Sequence, residues 1–172
     1  FYPVWAELFG IPFETKALNE KFEIVPEDYY GENGGVIFPN PNAPTGALLS
    51  LDVVCDIIEH NQDVAVIIDE AYIDFGGVSA KELTRKYDNV LVVQTYSKSR
   101  SLAGLRIGYA IGNREMIQAM NDVKYSYNSY TMNEPSIVLG KAVLEDEEYF
   151  QETRKKIIET REWFKEEMHK LG

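Results

Sequence analysis

The chain has 172 residues, 45% of them hydrophobic, and a formal net charge of −11. That is enough apolar material for one core of ordinary size and too much for a disordered chain. The acidic balance speaks against nucleic acid or an anionic membrane as the main partner, a lone cysteine (Cys55) excludes an internal disulfide, and two histidines beside it do not make a structural zinc site.

No apolar run approaches the roughly 18 residues of a membrane span, so a soluble cytoplasmic protein is expected. The chain opens on FYPVWAELFG and closes on MHKLG in a helical pattern. Both ends read as cuts through a larger fold, and a fragment is expected.

In chain order, GVIFPN (35–40) reads as a short strand running into PNPNAPTG (39–46), whose prolines and glycine demand a rigid loop. Residues 50–61 carry a helical stripe at 51, 53, 54, 57 and 58, with Ser50 placed to cap it. DVAVIIDEAY (63–72) is a near-continuous β-branched run, the pattern of a buried parallel strand. Residues 79–87 make a weaker helix. NVLVVQTYS (89–97) is another buried strand, and LRIGYAIGN (105–113) a shorter one. Helices are expected over REMIQAMNDVK and NEPSIVLGKAVL. From Asp146 to Leu171 one long helix is expected, with Phe150, Ile157, Phe164 and Leu171 on a narrow seven-residue stripe. Strand–helix alternation argues an α/β fold with a mostly parallel sheet.

Ligands of open parallel sheets sit beyond the carboxyl ends of the strands. The polar residues gather there: Asn40 and Asn42 after the first strand, Asp69 to Tyr72 after the second, Ser97 and Lys98 after the third. Asp69 closes a buried run and needs a donor or cation, which a helix cap or a core arginine would also supply. Strand alternation turns Glu70 to the other side. Lys98, between hydroxyls, is either a solvated loop lysine or a nucleophilic amine. Arg106 suits bidentate binding of a phosphate, or pairs with a surface acid.

Taken together, PNAPTG, DEAY and SKSRSLAGLRIGY, in that order, resemble the class I/II aminotransferases, enzymes of fold type I that use pyridoxal 5'-phosphate. The spacings agree: 29 residues from Asp69 to Lys98 and 8 from Lys98 to Arg106. The likeness covers essentially the whole chain and points to the histidinol-phosphate branch. It implies a three-layer α/β/α large domain, present in part. Residues 1–145 would belong to that domain, and 146–172 would be a long connecting helix toward a small domain outside the chain.

The resemblance also assigns roles. Lys98 would be the covalent attachment point of the cofactor and then the acid/base at the substrate α-carbon. Asp69 would pair with the pyridine nitrogen, Tyr72 would hydrogen-bond the ring phenolate oxygen, and Ser97 with Arg106 would hold the phosphate. The family places Asn immediately before PTG. Here Ala43 stands there, so either Asn42 supplies that contact or it is lost. FYPVWAELFG is similar to the segment that follows the family's cofactor-stacking aromatic. The implied reaction takes the amino group of an amino acid or amino-alcohol phosphate to 2-oxoglutarate, in a homodimer of the full-length protein. A threonine-phosphate-type decarboxylase and a non-catalytic cofactor-sensing domain share these motifs.

Overall fold

A computed structural model describes residues 2–172; Phe1, first residue of the opening segment, lies outside them. The regular elements are α1 (Tyr2–Leu8), β1 (Val36–Pro39), α2 (Leu51–Glu59), β2 (Val66–Asp69), β3 (Val90–Thr95), β4 (Gly108–Gly112), α3 (Arg114–Tyr127), α4 (Glu134–Glu145) and α5 (Glu147–Leu171). Short 3-10 turns fall at Pro26–Tyr29, Ile73–Phe75, Ala80–Arg85 and Ala103–Leu105.

The sheet runs in the order β1-β2-β3-β4. β1, β2 and β3 are parallel, in a register that aligns Val36, Val66 and Val90 in one row and Phe38, Ile68 and Val92 in another. β4 returns antiparallel, with Gly108 opposite Thr95. The expected mostly parallel sheet is therefore present, and helices accompany it.

Alternation sorts the side chains. The two rows above face α2, whose Val54, Ile57 and Ile58 are fully buried against them. Ser50 caps α2 by accepting the Val53 N–H. The intervening row, Ile37, Ile67 and Leu91, faces the other way, and there Ile37 is 40% exposed. So the densest core lies on the α2 side.

Two elements differ from the sequence pattern. The run 63–72 yields only four strand residues, because the chain turns after Asp69 into the Ile73–Phe75 turn. Residues 80–85 wind as a 3-10 helix, begun by Ser79, which accepts the Lys81 N–H. α1 was not evident from the sequence.

The long helix forms as expected, started by Asp146, which accepts the Tyr149 N–H. Of its seven-residue stripe only Phe150 is buried; Ile157, Phe164 and Leu171 are exposed. Arg161 ties its middle to the Ile73–Phe75 turn through the Phe75 carbonyl, at 2.7 Å. α4 approaches the β3–β4 connection closely at Gly140, where a Cβ would stand 2.8 Å from Ile107 Cδ1. No helix among the described residues is long and apolar enough to cross a membrane.

The α2–sheet contact is the stability centre. Ile58→Ala is expected to lower the unfolding free energy by about 2–5 kcal/mol in urea denaturation. Tyr130→Ala, at a residue 94% exposed, is expected to stay within about 0.5 kcal/mol of the parent.

Candidate functional site

Because β1, β2 and β3 are parallel and in register, their carboxyl ends share one edge, and antiparallel β4 begins there too. Asn42, Asp69, Tyr72, Ser97, Lys98 and Arg106 all lie in the segments leaving or entering that edge.

Asp69 closes β2 in the row of Pro39 and Val93, on the face away from α2. One of its oxygens, Oδ1, accepts the Ala71 N–H at 3.0 Å. The other accepts the Tyr2 hydroxyl at 2.7 Å. Burial, then the hydrogen bond and charge of Asp69, push the Tyr2 phenol well above the ordinary tyrosine range. The donor to Asp69 is thus a phenol from α1, 67 residues away in sequence.

Glu70 faces the core and is 1% exposed. Three donors converge on it: Ala80 N–H at 2.6 Å, Ser79 Oγ at 2.5 Å and Gln94 Nε2 at 2.7 Å. The Tyr109 hydroxyl in turn donates to Gln94 Oε1. Adjacent carboxylates therefore do different work. Glu70 ties β2, β3 and the turn at 79–80 together from inside, while Asp69 is presented on the other face.

Tyr72 follows the strand end, half-buried, and the Lys98 ammonium lies 4.9 Å from its ring centroid. A cation over an aromatic face is held by the ring quadrupole. Lys98 itself is exposed, whereas its neighbours are anchored. Ser99, 5% exposed, donates to Asp74, and the Ser97 N–H donates to Thr95 Oγ1 at 3.1 Å. The Lys98 carbonyl accepts the Ser101 N–H at 3.0 Å.

Arg106 sits just before β4 with φ 55° and ψ 43°, in the left-handed region. Such a conformation costs a non-glycine residue roughly 1–2 kcal/mol. Its side chain is exposed and donates from Nη1 to the Ala103 carbonyl at 2.8 Å. Asn42 is half-buried and braces its own loop: Nδ2 donates to Thr45 Oγ1 at 2.8 Å, and its backbone pairs with Ala47 and Gly46. Ala43 is exposed.

The structure thus joins Lys98 to Tyr72 directly and sets Asp69 at the same edge. Asn42 and Arg106 make local contacts within their loops. Sequence reasoning missed Tyr2 at Asp69; the only signal was an aromatic-rich opening segment. A cavity of about 180 Å³ lies behind the lysine turn, lined by Ser99, Arg100, Leu139, Val143, Tyr149 and Phe150 among others, and takes in neither Lys98 nor Asp69. In chemical terms the edge offers an amine, a carboxylate, phenols and a guanidinium. That set suits a small anionic molecule with a carbonyl for the amine.

A family model described as aminotransferase class I and II matches residues 10–172. Histidinol-phosphate aminotransferase of Pseudomonas putida (strain W619) is 51% identical over 172 residues, covering 100% of this chain and 49% of that protein. The crystal structure of the histidinol-phosphate aminotransferase from Clostridium acetobutylicum superposes with a TM-score of 0.90 at 28% identity, covering 99% of this chain and 53% of that one. The enzyme of the same name from Sinorhizobium meliloti, in complex with pyridoxal-5'-phosphate, matches with a TM-score of 0.68 at 26% identity over 75% of this chain and 35% of that one. The chain spans about half the length of the curated relatives it matches.

The Tyr2–Asp69 contact is open to titration. The raised phenol favours the fold below about pH 10, the ordinary tyrosine value, and that contribution fades as the pH rises further toward the folded value. Tyr29, Tyr30, Tyr87 and Tyr109 are raised as well, so spectrophotometric titration is expected to show several late-ionising tyrosines, with Tyr2→Phe removing one from the latest part of the curve and Asp69→Ala bringing that one to lower pH.

Proposed function

The chain belongs to the aminotransferase class I and II family, and from that premise we propose that it is the cofactor-holding part of a pyridoxal-5'-phosphate-dependent aminotransferase of histidinol-phosphate type. The observation that carries the reading is the Lys98 amine, 4.9 Å from the Tyr72 ring centroid at the edge where β2 ends in Asp69. The identity to histidinol-phosphate aminotransferases supports the branch.

The residues fit the cofactor. Asp69 is an acceptor already engaged by two donors, one of them the Tyr2 hydroxyl, and it suits a protonated ring nitrogen. Lys98 is an exposed amine on an anchored turn. Arg106, exposed and held by a backbone conformation unusual for arginine, suits a phosphate together with Ser97. When bound, the cofactor supplies an electron sink conjugated to the substrate α-carbon.

The chain's own groups do the rest. Lys98 would be the residue that holds the cofactor, and its amine would serve as the acid/base that moves a proton at the substrate α-carbon. Asp69 would hold the ring nitrogen in its protonated form. Tyr72 would donate to the ring oxygen, and Asn42 would offer its amide there in place of Ala43. The Glu70 network holds the β2 terminus so that Asp69 keeps its aim.

The amino donor in this reading is an amino acid or amino-alcohol phosphate and the acceptor is 2-oxoglutarate. Residues 1–145 form part of the large domain, and 146–172 form the connecting helix. The full-length protein is a cytoplasmic homodimer.

The test uses the full-length protein. After addition of pyridoxal 5'-phosphate and borohydride, peptide mapping is expected to find the pyridoxyl group on Lys98, and Lys98→Ala is expected to abolish it. Asp69→Asn is expected to keep the adduct and lower turnover by about 100-fold or more. The product distinguishes the reactions: 2-oxoglutarate-dependent amino transfer is expected, and release of CO2 instead would assign a decarboxylase. A pyridoxyl group at another lysine would refute the site.

A further inference from the structure

The turn that presents Lys98 is held on two sides. On one, the Ser99 hydroxyl donates to Asp74, just beyond Tyr72. On the other, Arg100, two residues beyond the exposed Lys98, is largely covered, its side chain only 16% exposed.

Arg100 is covered by specific partners. Its guanidinium carbon lies 3.8 Å from the centroid of the Phe150 ring and 5.9 Å from that of Tyr96. Phe150 and Tyr96 are 7% and 9% exposed. Nη1 donates to the Val143 carbonyl at 3.2 Å. Val143 lies in the last turn of α4, where carbonyls lack helical partners and the helix end is partially negative. Nη2 stands 3.8 Å from Glu147 at the start of α5. A covered cation needs such compensation, and a planar guanidinium can stack and donate at once where an ammonium cannot.

We infer that Arg100 is the positioning residue for Lys98, locking the lysine turn to the junction of α4 and α5. Their junction reaches the amine through two residues of backbone, and the packing of a helix pair thereby sets where the amine stands. The inference rests on Lys98 being the attachment point.

The test compares the full-length protein with Arg100→Met, Arg100→Lys and Phe150→Leu. Amide hydrogen exchange across residues 97–101 is read without added cofactor. The dissociation constant for pyridoxal 5'-phosphate and the visible circular dichroism per bound cofactor are read with it. Dichroism per bound molecule reports how the cofactor is held and is indifferent to how much protein is folded. Arg100→Met is expected to speed exchange across 97–101 and to weaken binding, each about tenfold, and to change the dichroism per bound cofactor. Arg100→Lys is expected to rescue none of these. If Arg100→Met does not fold, Phe150→Leu, which removes the ring and leaves the hydrogen bond, decides by the same readings. Unchanged exchange together with unchanged dichroism would overturn the inference. A parent protein that binds no cofactor would refute the reading of Lys98 alone, and the exchange arm would still decide whether Arg100 holds the turn.

Discussion

The parallel register of β1, β2 and β3 is the constraint from which the site follows. Val36, Val66 and Val90 align, and so do Phe38, Ile68 and Val92, because both rows are buried against α2. A slip of one residue in any strand would turn its apolar set outward. With that register fixed, the chain has no freedom to put the ends of the strands elsewhere. Asp69 and the turns carrying Asn42, Tyr72 and Lys98 must leave the same edge.

The same alternation separates support from chemistry. Asn40, Glu70 and Gln94, one step beyond the last apolar positions, form the polar end of the core. Asn40 is buried and brackets Leu49 through both its amide atoms. Glu70 gathers three donors. Each of these groups is hydrogen-bonded within the fold itself. Asp69 is turned the other way, toward the face where Ile37 is 40% exposed, and Tyr72 and Lys98 follow in the turns beyond the strand ends. A buried carboxylate with its own donors, Glu70, thus stiffens the strand end, and the carboxylate just before it in sequence, Asp69, is the one presented.

Much of this was legible in the sequence. The β-branched runs gave the strands, Ser50 gave the start of α2, and DEAY with SKSRSLAGLR gave the residues at the edge. What was not legible depends on contacts between distant segments. Tyr2 meets Asp69 across 67 residues, and α1 is too short and too exposed to leave a clear stripe. Arg100 leaves no local signal in the sequence, because its partners Val143, Glu147 and Phe150 lie more than forty residues on. Of the narrow stripe of α5 only Phe150 is buried, and the contact that ties the middle of the helix down, Arg161 to the Phe75 carbonyl, is one the stripe does not signal. Short-range patterns specify which face is apolar, and they are silent on which distant groups close over it.

The central claim is that one small molecule spans the sheet edge from Lys98 to Asp69. Its most direct test is a crystal structure of the full-length protein reduced by borohydride in the presence of pyridoxal 5'-phosphate. The account requires density continuous with Lys98 Nζ, the ring nitrogen within hydrogen-bond distance of Asp69, and the phosphate beside Ser97 and Arg106. Density joined to another lysine, or a ring whose nitrogen faces away from Asp69, would contradict it.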